Sequence, residues 1–193
     1  MKKESNQDKL IVRFKGGLGN QMFQYAMYCK QKQLGKQVYA DISAYKMEGS
    51  MPFVLQEVFP GISLNFIKPD EARYYLKRQE EKSVMDKIVA AIWWGKRDYT
   101  SEKGDGIFDA RVFHLKKGFL DGYWQSEKYF SDIREILLRD FQFLISDSSL
   151  EKYAEAITND AVSVHIRRGD YLKHPELFGG ICDMNYYRKA MDY

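Results

Sequence analysis

Apolar positions along the chain fall into short runs and helical spacings, and the first forty residues set the pattern. Leu10-Ile11-Val12-Arg13-Phe14 is a compact apolar run and predicts a strand. Lys15-Gly16-Gly17-Leu18-Gly19-Asn20-Gln21 follows as a glycine-rich turn, and then Met22, Ala26 and Cys29 recur at helical spacing. Asn20 is placed to cap that helix, since its side-chain oxygen can accept from a free N–H of the first turn. Gln37-Val38-Tyr39-Ala40-Asp41 predicts a second strand, ending on an acid. Together these make a β-loop-α-β unit. The helix start after the glycines offers unpaired N–H groups and the positive end of a dipole.

Residues 45–66 are irregular, punctuated by Pro52, Pro60 and Gly61. A polar, helix-compatible segment runs from Pro69 through Leu76 and continues into Met85–Arg97, where Trp93-Trp94 stand between Lys87, Lys96 and Arg97. That stretch reads either as a helix packed on its own domain or as an interfacial anchor. Gly118–Ser126 predicts a strand running into a loop. A helix with Phe130, Ile133, Leu137, Phe141 and Leu144 on one face follows, and Ser148-Ser149 is placed to cap another. Val162, Val164 and Ile166 then alternate with Ser163, His165 and Arg167, the period of a strand, and Asp183–Tyr193 starts a last helix. No turn residue closes that pattern. The chain therefore reads as cut short, with the expectation that residues after about Ala161 fold poorly by themselves and that the piece alone has little activity.

Composition changes this picture little. Across 193 residues, 45% are hydrophobic and 30% charged, values of a globular chain with room for a sizeable core. A net charge of +3, interspersed along the chain, suits an anionic small molecule and does not call for nucleic acid. Cys29 and Cys182 have no metal-type spacing and no disulfide is expected. The polar N-terminus lacks a signal-like apolar run, and no window approaches the roughly 20 apolar residues of a spanning helix, which predicts a soluble or peripheral protein.

The chemistry concentrates in His165-Ile166-Arg167-Arg168-Gly169-Asp170-Tyr171. Two adjacent guanidiniums where a strand passes into a loop suit a diphosphate, since each planar fork donates two charge-assisted hydrogen bonds. Asp170 can hold one guanidinium and His165 can add a donor. The competing reading is an ordinary surface ion pair with Asp170. For the N-terminal unit the rival is a dinucleotide fold with Asp41 on a ribose. That pattern would put a small residue at Met22, and the bulky side chain there argues against it. Tyr123 and Trp124 read equally as sugar-stacking or as core aromatics.

Two motifs, Gly16-Gly17-Leu18-Gly19-Asn20-Gln21-Met22-Phe23-Gln24-Tyr25-Ala26 and His165-Ile166-Arg167-Arg168-Gly169-Asp170-Tyr171, resemble signatures of the bacterial family 11 α-1,2-fucosyltransferases. Gly122-Tyr123-Trp124-Gln125-Ser126, with Tyr129-Phe130, and Tyr186-Tyr187 with Ala190 extend the resemblance over essentially the whole chain. It implies an α/β fold of GT-B type with two Rossmann-like domains: an acceptor-side domain with a helical insert over 1–160, and the start of a GDP-fucose-binding domain over 161–193, incomplete here. The implied reaction moves L-fucose from GDP-β-L-fucose to a glycan galactose, lipid-linked glycans included, with inversion and without a metal or other cofactor. Arg167 and Arg168 would contact the GDP diphosphate, supported by His165 and Asp170. Gly17, Gly19, Asn20 and Gln21 would line the cleft from the first domain. The general base stays open among Asp121, Glu127 and Asp170. The implied place is the cytoplasm, with peripheral membrane contact allowed by the Trp93-Trp94 segment. The alternatives are a non-catalytic nucleotide- or sugar-binding module and, further off, an oxidoreductase.

Overall fold

The protein is represented by a computed structural model that describes residues 9–47, 50–80, 99–104, 106–143, 147–158, 164–166, 176, 179 and 183–192. By contact it divides into two compact units, Met1–Leu144 and Ile145–Tyr193.

The first unit is a four-stranded sheet, all parallel, in the order β2-β1-β4-β3. β1 is Lys9–Arg13, β2 is Gln37–Asp41, β3 is Tyr99–Ser101 and β4 is Gly118–Asp121. Helix α1, Leu18–Gln33, connects β1 to β2. Two short segments follow, a 3-10 turn at Ser43–Lys46 and α2 at Leu55–Val58, and then α3 over Pro69–Glu80.

Alternation along the strands sorts the core into two layers. Leu10, Val12, Val38, Ala40 and Leu120 face α1, where Tyr25, Ala26 and Tyr28 meet Leu55, Phe59, Trp124, Tyr129 and Ile133. Ile11 and Phe119 point the other way, onto Ile67 and Ala72, with Tyr39, Tyr75, Leu76 and Tyr99 around them. The Phe119 ring lies between Tyr99 and Tyr75, with centroids at 5.5 and 5.7 Å. A parallel strand covered on both faces should read as a continuous apolar run, and Leu10, Ile11 and Val12 are indeed all fully buried. Each such side chain contributes about 1.5–3 kcal/mol relative to exposure.

Several sequence expectations meet their elements directly. β1, β2, α1, α3 and β4 lie where the pattern put them. Others shift. Gly17, not Asn20, is the N-cap of α1; the helix starts at Leu18 and Asn20 lies inside its first turn. The run from Phe130 is not one helix: a 3-10 turn at Glu127–Tyr129 precedes it, a second spans Ser131–Ile133, and α4 covers Arg134–Asp140, while Leu144 lies outside the described residues. Ile133 and Leu137 are its buried anchors. β3 was not expected at all.

In the second unit, α5 spans Asp147–Thr158, so Ser148 and Ser149 lie within the helix and do not cap it. Residues 164–166 are described and belong to no strand, with Val164 and Ile166 exposed, unlike the strand their alternation suggests. α6 spans Met184–Met191, and the Asp183 side chain caps it by accepting from the Tyr186 N–H at 2.8 Å. Trp93-Trp94 and Cys182 lie outside the described residues, and among those described no helix is long and apolar enough to cross a membrane.

Candidate functional site

Because all four strands run parallel, their carboxyl ends share one edge of the sheet. β1 leads outward to β2, whereas β4 and β3 lie on its other side. The strand order therefore changes direction between β1 and β4. In open α/β sheets ligands bind at that switch point, outside the carboxyl ends of the strands.

Arg13 closes β1 and Asp121 closes β4, and the two meet there. Arg13 Nη1 donates to Asp121 Oδ2 at 2.8 Å, Lys15 Nζ donates to Oδ1 at 2.7 Å, and the Tyr99 hydroxyl donates to Oδ2 at 2.5 Å. Asp41, at the end of β2, accepts from the Ser43 N–H and hydroxyl, both at 3.0 Å, and stands 4.0 Å from Arg13 Nε. Burial raises the proton affinity of Asp121. The hydrogen bonds from Lys15 and Tyr99 and the charges of Arg13 and Lys15 outweigh it, and the carboxyl titrates below the ordinary range. Burial and the bond to Asp121 push the Tyr99 hydroxyl the other way, upward. A carboxylate with both oxygens engaged and a lowered proton affinity is a poor general base. Of the three carboxylates open from sequence, Asp121 is thus committed to holding the switch point together. Glu127 is exposed, just beyond the loop after β4, and Asp170 lies outside the described residues.

The glycine turn follows β1. Gly16 has φ +81°, which favours glycine, and a Cβ there would displace the Asn20 side chain, whose Nδ2 would lie within 2.4 Å. Its carbonyl accepts from Gln21 Nε2 at 3.1 Å and from the Tyr45 hydroxyl at 3.0 Å. Gly17 rests near Met51, and above Gly19 there is open space, with nothing within 4 Å of a Cβ. Asn20 Oδ1 accepts from the exposed Gln125 Nε2 at 2.7 Å, tying the first turn of α1 to the loop after β4.

Gln21 has a different place from its neighbours. It is fully buried, and its amide spans four backbone groups: Nε2 donates to Gly16 O and Pro52 O, while Oε1 accepts from the N–H groups of Val54 and Leu55. That exhausts its ordinary donors and acceptors. Gly17, Gly19 and Asn20 form the outer face of the turn; Gln21 is the peg beneath it. Sequence reasoning passed over Gln24, which is also fully buried. Its Oε1 accepts from Lys15 N–H at 3.0 Å, and Nε2 donates to the carbonyls of Lys15 and Gly122 at 3.2 Å, clamping the loop after β1 to the loop after β4. Two glutamines three residues apart in an otherwise core-facing helix are the signal that could have found it.

The loop after β4 is pinned from β3. Glu102 Oε2 accepts from the N–H groups of Tyr123 and Trp124 at 2.7 and 3.1 Å, holding Trp124 at φ +57°. Trp124 goes into the core, edge-on to Tyr129, which resolves its reading as a core aromatic. Tyr123 stays half-buried, with Lys15 Nζ 5.0 Å from its ring centroid.

In the second unit His165 is exposed. Arg167, Arg168 and Asp170 lie outside the described residues.

Comparison with known proteins agrees over the whole length. The model of the family "Glycosyl transferase family 11" matches residues 1–193. An Escherichia coli alpha-1,2-colitosyltransferase is 28% identical over 192 residues, covering 95% of this chain and 63% of its own length. The Escherichia coli O-antigen biosynthesis glycosyltransferase WbnK is 27% identical over 197 residues, covering 92% of this chain and 65% of its own. The chain thus spans a little under two thirds of the length of either relative. No solved structure matches it.

Proposed function

The chain belongs to glycosyl transferase family 11, and from that premise we propose that it works as a metal-independent fucosyltransferase, moving L-fucose from GDP-β-L-fucose to the 2-hydroxyl of a glycan galactose. The match of the family over residues 1–193 carries this reading, because it takes in the glycine turn and the arginine pair in one chain. In the reaction the bond between fucose C1 and the diphosphate oxygen breaks and GDP leaves with the electron pair. The galactose oxygen attacks C1 from the opposite face, and its proton passes to a general base.

Negative charge builds on the departing diphosphate. Guanidiniums already aimed at it lower the barrier without reorganising, which is the role given to Arg167 and Arg168, with His165 as a further donor and Asp170 as their support. The outer face of the glycine turn, Gly17 to Asn20, and the neighbouring Gln125 present hydrogen-bonding groups to the acceptor or the phosphates. With Asp121 committed to Arg13, Lys15 and Tyr99, the base reduces to Glu127 or Asp170. The proposed location is the cytoplasm, where nucleotide sugars are available as donors, with peripheral contact on the cytoplasmic face of the membrane allowed.

A second reading keeps the mechanism and changes the sugar. The relative named as an alpha-1,2-colitosyltransferase supports a donor lacking one ring hydroxyl. Both readings are tested by GDP release in EDTA, using the full-length protein. Release from GDP-fucose that depends on a β-galactoside supports the first. Release from GDP-colitose alone supports the second. A folded protein that binds no GDP overturns both.

A further inference from the structure

Beside the switch point, one strand outward at the carboxyl end of β2, lies a cavity of about 480 Å³. That is within the roughly 300–1,000 Å³ usual for small-ligand sites. Ile42, Ile67 and Leu76 give it an apolar wall, and Lys46 and Arg73 also line it, one from the 3-10 turn after β2 and the other from α3. We propose that this cavity receives an anionic group, a carboxylate or a phosphate, carried by the acceptor glycan close to the galactose that is modified. The proposal rests on the transferase reading and extends it to the charge of the acceptor.

The argument is one of unanswered charge. Arg13 and Lys15 face Asp41 and Asp121 in a network that is neutral as a whole. Asp41 also lines the cavity, but its oxygens are taken by Ser43 and turned toward Arg13. It does not answer Lys46 or Arg73. The acids of α3 do not either: Glu71 pairs with Lys9 at 2.9 Å, and no ion pair joins Asp70 to Arg73. Lys46 and Arg73 have no hydrogen-bond or ion-pair partner among the described residues, although both are long cations bordering one cavity. Both cations are exposed at the cavity's rim, and the apolar wall on one side biases their field toward whatever enters. A sugar acid matches this lining in kind, with apolar ring carbons for Ile67 and Leu76 and an anion for Lys46 and Arg73. Arg73 can grip that anion with two parallel hydrogen bonds.

The test is binding, read separately from transfer. The full protein is titrated at low salt with a galactoside bearing a glucuronic acid, the same galactoside bearing a phosphate, the neutral galactoside, and inorganic phosphate. The wild type should bind at least one anionic galactoside tenfold or more tightly than the neutral one, and the two anionic arms tell carboxylate from phosphate. Lys46→Gln/Arg73→Gln should abolish that preference. Lys116→Gln/Lys117→Gln removes the same net charge just before β4, at the opposite edge of the sheet, and should keep it. Equal binding of neutral and anionic galactosides by the wild type overturns the proposal. So does a preference that survives loss of Lys46 and Arg73, or inorganic phosphate binding as tightly as the phosphorylated galactoside. Charge-dependent binding without transfer to any acceptor would sink the fucosyltransferase reading and the cavity's acceptor role with it, leaving only an anion site at Lys46 and Arg73. Transfer without charge-dependent binding would overturn the cavity's assignment and leave the fucosyltransferase reading standing.

Discussion

The two units use polar side chains in opposite ways. In the first, Gln21, Gln24, Gln31, Asp41 and Asp121 are buried inside an α/β core and spend their hydrogen bonds on backbone and neighbouring side chains. In the second, no described residue is buried and only Tyr187 is partly covered. The two family motifs fall one to each unit. The glycine motif is therefore mostly architecture: it shapes a turn, and only its outer face is free for a ligand. The arginine motif is proposed to supply charge to the reaction. Damage to the first should appear in stability, damage to the second in turnover.

The largest effect that could break this division is at Arg167. If each of two charge-assisted hydrogen bonds to the diphosphate is worth about 1.5–3 kcal/mol, Arg167→Ala should lower kcat/KM by roughly 10²- to 10⁴-fold. Steady-state GDP release measures it, and thermal unfolding should move little. Activity within a few-fold of wild type would place Arg167 on an ordinary surface and remove the contrast.

Gln21→Leu should show the opposite signature. Volume is nearly kept, but the Pro52 carbonyl and the N–H groups of Val54 and Leu55 lose their partners, and the Gly16 carbonyl keeps only the Tyr45 hydroxyl. At about 1–3 kcal/mol for each buried group left unpaired, with some relaxation, a loss of about 3–5 kcal/mol is expected in urea unfolding. A loss below about 1 kcal/mol would mean that the turn keeps its shape without the peg.

Asp121→Asn tests the switch point through pH. The folded carboxyl is depressed below its unfolded value. Its contribution is therefore fully present above the unfolded value of about 3.9 and fades as pH falls through the lower, folded one. The variant should be less stable by about 2–3 kcal/mol at neutral pH, because Arg13 and Lys15 lose their shared carboxylate. The gap to wild type should narrow in the acid limb, below about pH 4. A constant difference from pH 7 to pH 2 would show that the shift is absent.

How much of this was legible in the sequence follows from the same contrast. β1 is visible because a parallel strand covered on both faces reads as an apolar run, β2 because Val38, Tyr39 and Ala40 stand between polar ends, and α1 because Met22, Ala26 and Cys29 keep its period. β3 is three residues at the sheet edge, Tyr-Thr-Ser, and makes no run. The Gly17–Asn20 turn was legible as glycines. The separation of Gln21 from it was not, since a polar residue beside a turn reads as surface until four backbone groups are found around it. Nor does spacing reveal that Arg13, Lys15 and Tyr99 converge on Asp121, residues up to 108 apart in sequence. The alternation at 162–167 suggested a strand, yet period alone cannot supply the neighbouring strand a sheet requires.

The smallest expected effect sharpens the comparison most, because it separates scaffold from surface within a single motif. Gly19 lies in the first turn of α1 with open space where a Cβ would point. Gly19→Ala should therefore cost nothing sterically and should stabilise the helix by about 0.5 kcal/mol, by restricting the unfolded chain. If the turn is only architecture, activity should be unchanged or improved by that gain. If its outer face receives acceptor or phosphate, the added methyl occupies the approach and KM should rise several-fold while the protein becomes more stable. Stability and affinity moving in opposite directions would locate the ligand at the face that Gly17, Gly19 and Asn20 present, with Gln21 beneath it. Both improving together would move the ligand off the glycines and toward the Lys15–Tyr123 side of the loop after β4.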